Sequence, residues 1–219
     1  MKGFRNVIYS VNYATEKTHK MKKNNIFGLL LDFDNTMAKI NYLSLLKKIH
    51  WTSSLTTFHQ TCDYYRGFRV PRLTEKIESH LSATKTKNIT QIDKCITDLY
   101  KSSNVDQNIQ KVINFWDEKK WPKGIVSDHP AMAKLSLFNI AGWSTVISCR
   151  SYNAFKPLPD GLWAASAALG LPPSKIIFIG DRHDTDAQAA AAFGCHFIQV
   201  QDLARCNDPV QRIKLYLNL

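Results

Sequence analysis

Short apolar runs that each end at polar residues are the feature that most restricts the folds available to this chain. Residues 26–31 read Ile-Phe-Gly-Leu-Leu-Leu and stop at Asp32, and residues 176–179 stop at Gly180 and Asp181. Similar runs occupy residues 124–126, 145–147 and 196–200. Continuous apolar runs of this length are typical of parallel strands that are buried on both faces.

Helical patterns lie between these runs, at residues 130–138, 160–169 and 185–193. This alternation predicts an α/β fold with a doubly wound parallel sheet. In such a sheet the functional site lies beyond the carboxyl ends of the strands. The polar residues that follow the apolar runs are therefore the candidates for function.

The segment between the first two strands is too long for a single crossover connection and shows helical rather than strand spacing. Leu73, Ile77 and Leu81 recur every four residues, and apolar side chains repeat at helical spacing in residues 89–99 and 109–116. We predict a small helical cap at residues 40–103, inserted into a catalytic core of residues 26–39 and 104–219. Residues 1–25 form a predicted basic amino-terminal extension, with six Lys or Arg against one Glu.

The composition of the chain restricts where in the cell the protein is expected. Among the 219 residues no apolar run approaches the roughly 20 residues that cross a bilayer. The five cysteines form no C-x-x-C pair, which argues against a disulfide framework and a zinc knuckle. We expect a cytoplasmic protein; the alternatives are mitochondrial import or contact with an anionic membrane through the basic extension.

Two carboxylates follow the first strand at a spacing that brings them together. Asp32 and Asp34 lie two residues apart, and extended residues at this spacing share a face. One carboxylate can then attack as a nucleophile while the other transfers a proton. Aspartates also cap turns, so this pair alone does not decide between chemistry and local structure.

The later strand ends carry further polar groups. Ser127 and Asp128 precede a helical pattern, where a hydroxyl and backbone N–H groups can bind a phosphoryl oxygen or simply cap the helix. Lys156 stands beside two prolines that can direct its ammonium inward, although most lysines are solvated. Carboxylates at positions 181, 184 and 186 form an oxygen-rich group suited to Mg²⁺.

Four segments together resemble the motifs of haloacid dehalogenase-like hydrolases. They are Leu29-Leu30-Leu31-Asp32-Phe33-Asp34-Asn35-Thr36, Val126-Ser127-Asp128, Lys156-Pro157, and Gly180-Asp181 through Asp186. The resemblance covers most of residues 26–200 outside the insert, which matches the family's helical cap in position and helicity only.

The resemblance implies a role for each matching residue. Asp32 would be the nucleophile and Asp34 the general acid and base, and Lys156 would neutralise charge. Thr36, Ser127 and Asp128 would bind the phosphoryl group. Mg²⁺ would be held by Asp32, the backbone carbonyl of Asp34, Asp181 and a further acid. Asp184 and Asp186 compete for that last position, and the spacing Gly-Asp-x-x-x-Thr-Asp favours Asp186.

These roles imply a Mg²⁺-dependent phosphatase that forms an aspartyl-phosphate intermediate. The alternatives are a phosphomutase-like transferase and a non-catalytic binding protein of the same fold. The expected substrate is a small phosphorylated metabolite or a phosphoprotein side chain such as phosphotyrosine. Nucleic acid is not expected as a partner. The aromatic and basic residues at 64–72 fit a cap loop that favours aromatic or acidic substrates better than a nucleic-acid site.

Overall fold

The computed structural model describes residues 27–39, 97, 100–101, 103–152 and 154–217, without the side chains of Arg150 and Tyr152. The predicted extension at 1–25 and nearly all of the predicted cap at 40–103, including residues 64–72, lie outside these ranges and stay predictions. None of the described helices is long and apolar enough to span a membrane.

Five strands and six α-helices form the framework of the described part of the chain. The strands are β1 (Gly28–Leu31), β2 (Lys123–Ser127), β3 (Thr145–Ser148), β4 (Ile176–Gly180) and β5 (His196–Gln199). The helices are α1 (Gln107–Glu118), α2 (Ala131–Leu135), α3 (Asp160–Leu169), α4 (Gln188–Phe193), α5 (Val200–Ala204) and α6 (Pro209–Leu217).

The strands form one parallel sheet in the order β3-β2-β1-β4-β5. This confirms the predicted doubly wound sheet and places each strand at a predicted apolar run. Because β1 is central, its carboxyl end lies between those of β2 and β4. The Asp32 N–H extends the ladder by donating to the Ile179 carbonyl oxygen at 2.9 Å. The residues that follow these three strands are therefore neighbours.

The sheet separates two apolar cores, which explains why β1 is apolar without interruption. Leu29 and Leu31 pack on one face with side chains from α1, α2, α5 and α6, whereas Leu30 packs on the other face with α3 and α4. Successive strand residues point to opposite faces, so a sheet covered on both sides requires apolar residues at every position.

A tight turn follows β1 and leads out of the core. The Met37 N–H donates to the Phe33 carbonyl oxygen at 2.9 Å, and Asn35 has a positive φ of 60°. Asparagine tolerates this left-handed conformation better than most residues do. Ala38 then forms an antiparallel bridge with Val105. The chain thus leaves the core and returns to it at adjacent positions.

The predicted helix at 130–138 is shorter in the structure, where α2 ends at Leu135. Beyond it the Leu137 and Phe138 N–H groups donate to carbonyl oxygens three residues earlier. This is the tighter pattern found at helix ends, and it brings Phe138 into the core.

Candidate active site

Three acidic side chains meet at the carboxyl ends of β1 and β4. Carboxylate oxygens of Asp32, Asp181 and Asp186 all lie within 4.8 Å of one another. Asp32 directly follows β1, and Asp181 directly follows β4, so the parallel pairing of these strands brings them together. The structure thus unites three of the predicted metal-binding residues.

Asp32 is almost completely buried and has a hydrogen-bond partner on each oxygen. Its Oδ1 accepts from Lys156 Nζ at 2.6 Å, and its Oδ2 accepts from Thr36 Oγ1 at 3.3 Å. Burial and the neighbouring carboxylates raise the pKa of Asp32 well above its ordinary value, although the charge of Lys156 opposes this. A further positive charge beside the cluster would favour the ionised form of Asp32.

Lys156 joins two of the acidic residues. Its Nζ donates to Asp32 Oδ1 and to Asp186 Oδ1, both at 2.6 Å. Burial acts to lower the pKa of Lys156, but the surrounding carboxylates outweigh it and raise the pKa well above its ordinary value. The Lys156 N–H also donates to Asp128 Oδ1 at 3.0 Å. The Asp128 side chain therefore fixes the loop that carries the lysine.

A wide turn decides which later acid reaches the cluster. His183–Ala187 forms a single π-helical turn, in which the Ala187 N–H bonds the Arg182 carbonyl oxygen five residues earlier. Asp186 is buried there, and its Oδ2 accepts the N–H groups of Asp181 and Arg182 at 3.1 and 3.0 Å. Such turns occur frequently at functional sites.

Asp184 lies outside the cluster. Its side chain is 60% exposed and forms a two-pronged ion pair with Arg182 at 3.0 and 2.6 Å. Of the two candidates left open by the sequence, the structure therefore places Asp186 beside Asp32 and Asp181.

Asp181 is held through its backbone as well as by its place after β4. Its carbonyl oxygen accepts the amide Nε2 groups of Gln199 and Gln201, each at 3.2 Å. Burial and the nearby Asp186 raise the pKa of Asp181 to about 7. A bound cation would compete with this proton, because carboxylate ligands bind metals in the deprotonated form.

The composition of the cluster fits a hard divalent cation. All three candidate side-chain ligands are carboxylates, the ligand class that Mg²⁺ prefers. Lys156 pairs with two of them, Asp32 and Asp186, so three ionised carboxylates exceed the charge of this ammonium by two. One divalent cation balances that charge.

Ser127 contributes a buried hydroxyl at the end of β2. Its side chain is fully buried, and its Oγ has no hydrogen-bond partner among the described residues. Buried polar atoms are nearly always hydrogen-bonded, so an exception calls for an explanation such as a ligand. The hydroxyl is available to a phosphoryl oxygen, as the sequence predicts.

Asp34 has partners that the sequence analysis did not identify. Its Oδ1 accepts from Lys134 Nζ and from the Tyr100 hydroxyl, both at 2.6 Å. Burial acts to raise the pKa of Asp34, but the charges of Lys134 and His129, aided by the two hydrogen bonds, lower it to about 2. The resting carboxylate is therefore ionised.

One sequence signal pointed to Lys134. It lies on the buried side of α2 with Ala131 and Leu135, at helical spacing where an apolar residue is expected. A lysine at such a position is rarely buried without a charged partner. No comparable feature of the sequence pointed to Tyr100 or to the glutamines at 199 and 201, because the partners of these side chains are set only by the folded arrangement.

Gly180 provides the space that Asp186 occupies. A Cβ at Gly180 would lie 2.6 Å from Cβ, Cγ and Oδ2 of Asp186. We therefore expect Gly180→Ala to displace Asp186, to destabilise the fold by about 1–3 kcal/mol and to impair metal binding. Chemical denaturation and Mg²⁺ titration would measure the two effects.

Gly124→Ala is the matched control, because a Cβ there would also clash, at 2.5 Å from Thr145 Cγ2, but near the opposite end of β2. It should destabilise the fold and leave the Mg²⁺ affinity of the folded protein unchanged. Equal Mg²⁺ affinity in both variants would refute the role given to Gly180.

Comparisons with solved structures place the fold among known proteins. CbbY from Rhodobacter sphaeroides, in complex with phosphate, is 16% identical, with a TM-score of 0.62 over 80% of this chain and 85% of that one. β-Phosphoglucomutase from Clostridium difficile is 13% identical, with a TM-score of 0.65 over 88% and 97%. At these identities the likeness concerns the fold alone.

A third structure was determined with ligands. It is an Asp-to-Ala mutant of a HAD family enzyme from Bacteroides thetaiotaomicron, in complex with magnesium and inorganic phosphate. It is 10% identical, with a TM-score of 0.55 over 80% of this chain and 93% of that one. The sequence has no significant match among curated proteins.

A family model for haloacid dehalogenase-like hydrolases matches residues 28–194. This match begins at β1 and ends after α4, so it includes every residue of the acidic cluster together with Thr36, Ser127 and Lys156. The chain belongs to the haloacid dehalogenase-like hydrolases.

Proposed function

We propose that this protein is a Mg²⁺-dependent phosphomonoesterase in which Asp32 becomes transiently phosphorylated. The observation that supports this most directly is the environment of Asp32, a buried carboxylate between Lys156 and Thr36 and next to Asp181 and Asp186. A nucleophile needs a fixed orientation and nearby positive charge to attack a dianionic phosphoryl group. Membership of a family rich in phosphatases agrees with this assignment.

Asp32, Asp181 and Asp186, with the backbone carbonyl of Asp34, would hold the Mg²⁺ ion. The magnesium and phosphate in the Bacteroides structure support this choice for a protein of the same fold. When bound, the ion would supply positive charge that stabilises the phosphoryl oxygens and keeps Asp32 ionised.

In the first half-reaction an Asp32 carboxylate oxygen attacks phosphorus. The bond from phosphorus to the leaving oxygen breaks, and that oxygen takes a proton from the Asp34 carboxyl group. Lys156 and the Ser127 hydroxyl would bind the phosphoryl oxygens, and the backbone N–H groups that follow Ser127, beginning with Asp128, would add donors. Because resting Asp34 is ionised, it must gain a proton as the negatively charged substrate binds.

In the second half-reaction water attacks the phosphorus of the aspartyl phosphate. The Asp34 carboxylate takes the proton from this water, the bond between phosphorus and Asp32 breaks, and inorganic phosphate leaves. Asp32 returns as a carboxylate, and Asp34 returns as a carboxyl group that releases its proton to solvent once phosphate has left.

The proposed substrate is a small phosphorylated metabolite or a phosphoprotein side chain such as phosphotyrosine. The phosphate bound to CbbY supports a phosphorylated ligand for this fold. Selection between the two classes would come from the predicted cap at 40–103, because the cap carries selectivity in this family.

The test is phosphate release from a panel of sugar phosphates, aryl phosphates and phosphotyrosine peptides. We expect activity to require Mg²⁺, to fall by at least about 100-fold in excess chelator and to return when Mg²⁺ is restored. Ca²⁺ should inhibit, because its larger and more flexible coordination shell can bind both oxygens of Asp32. Full activity in chelator, or isomerised products without phosphate release, would contradict the proposal.

A further inference from the structure

Lys134 is a buried cation close to the proposed acid and base. Its side chain is 1% exposed and donates to Asp34 Oδ1 at 2.6 Å. Burying an ammonium is costly unless a charged partner compensates it, so this pair is a specific feature of the site. The family-level roles leave this lysine without a function.

The position of the Lys134 ammonium is set by aromatic rings. Its Nζ lies 4.6 Å from the centre of the Phe33 ring and 5.7 Å from that of Tyr100. These two rings meet edge to face at 5.4 Å, and both contact the Phe138 ring. Ring faces attract cations, so this aromatic cluster fixes where the ammonium meets Asp34.

The two donors act on the same oxygen of Asp34. Lys134 Nζ and the Tyr100 hydroxyl both donate to Oδ1 rather than to Oδ2. The Asp34 side chain keeps 18% of its surface exposed. Fixing one oxygen from two directions restricts rotation of the carboxyl group and leaves the other oxygen for proton exchange.

We infer that Lys134 is a positioning residue that, together with Tyr100, orients Asp34 so that Oδ2 faces the leaving oxygen. This inference rests on the proposed function of Asp34. Lys134 is not one of the residues proposed to bind the phosphoryl group or the metal, and it would act through the carboxylate that it holds. Its loss should therefore impair proton transfer more than attack on phosphorus.

The inference is tested with two substrates of similar shape, p-nitrophenyl phosphate and p-methylphenyl phosphate. The first releases a stable anion and needs little proton donation, whereas the second depends on it. Lys134→Met keeps the volume and removes the donor, so we expect kcat/KM for p-methylphenyl phosphate to fall at least about tenfold more than for p-nitrophenyl phosphate. Lys134→Gln retains a donor and should recover part of this difference.

Lys123→Met is the matched control. Lys123 is also fully buried, is paired with Asp117 and lies over the Trp143 ring, but it stands at the opposite end of the sheet. This variant should be less stable than the wild type, but the ratio of its kcat/KM values for the two substrates should be unchanged. A residue that only supports the fold would lower kcat/KM equally for both substrates. Such equal losses in Lys134→Met would overturn the inference.

A measurement without turnover separates this inference from the proposed function. In crystal structures of the wild type and of Lys134→Met, we expect the Asp34 carboxylate to change its orientation. An unchanged carboxylate would overturn the inference even if the protein is an active phosphatase. If the wild type releases no phosphate, the proposed function fails, whereas the two crystal structures still show whether Lys134 holds the Asp34 carboxylate in place.

Discussion

Asp32→Asn is expected to abolish phosphate release, with a loss of at least about 1,000-fold. An amide has nearly the volume of a carboxylate but cannot form the acyl phosphate. The oxygen of the introduced amide can still accept from Lys156 or Thr36, so the local packing should survive. Removing one of several buried, mutually repelling carboxylates should not destabilise the fold greatly.

Phosphate release with Mg²⁺, together with the mass of acid-quenched protein, provides the measurement. The wild type should carry a phosphoryl group on Asp32 during turnover, and the variant should not. Asp202→Asn is the control, because this carboxylate is about half exposed and its ion pair with Arg205 is long, at 3.5 Å. If Asp32→Asn kept a substantial fraction of wild-type activity, the nucleophile would have to be another residue.

Asp186→Asn should have the second largest effect, through the metal site. Asp186 accepts Lys156 on Oδ1 and two backbone N–H groups on Oδ2. An amide has only one oxygen, so its NH₂ group must face either the ammonium or the two N–H donors. Both orientations are repulsive, and the charge is lost. We expect the Mg²⁺ concentration for half-maximal activity to rise by about 10- to 100-fold or more.

Asp184→Asn supplies the matched comparison two residues away. Because Asp184 is exposed and its ion pair with Arg182 lies outside the acidic cluster, its loss should change Mg²⁺ dependence by less than about twofold. Mg²⁺ titrations of activity and of melting temperature would compare the two variants. The reverse order of effects would assign the metal site to Asp184.

The sheet and its active edge were predictable because they depend on hydrophobic pattern alone. Each of the five apolar runs became a parallel strand, and Asp32, Ser127 and Asp181 were located by their position at strand ends. Burial on both faces leaves a continuous apolar run, a pattern with few other interpretations. Helix ends were less predictable, as the shortened α2 shows.

Asp184 and Asp186 illustrate what the sequence alone leaves undecided. Their positions differ by two residues, and which side chain faces the cluster depends on the width of the intervening turn. A regular helix and a π turn differ by one residue per turn and have no reliable sequence signature at this length. The spacing favoured Asp186 by resemblance, and the hydrogen bonds of the turn supply the physical reason.

Lys134 and Tyr100 were missed for another reason. Lys134 follows Asp34 by 100 residues, and Tyr100 belongs to a different segment again. Contacts over such separations depend on how the turn after β1 and helix α2 pack together. A buried helical position occupied by lysine was a hint of a charged partner, but the sequence did not identify that partner.

In the π turn at His183–Ala187 the number of residues matters as much as their identity. His183 and Asp184 are exposed, so most side chains should be tolerated there. Removing one residue from the turn would instead narrow it to a regular helical turn and rotate Asp186 by roughly 100° about the helix axis. Related sequences can therefore vary in composition at positions 183 and 184, while insertions and deletions between Asp181 and Asp186 would have to be accompanied by a different acid at the cluster.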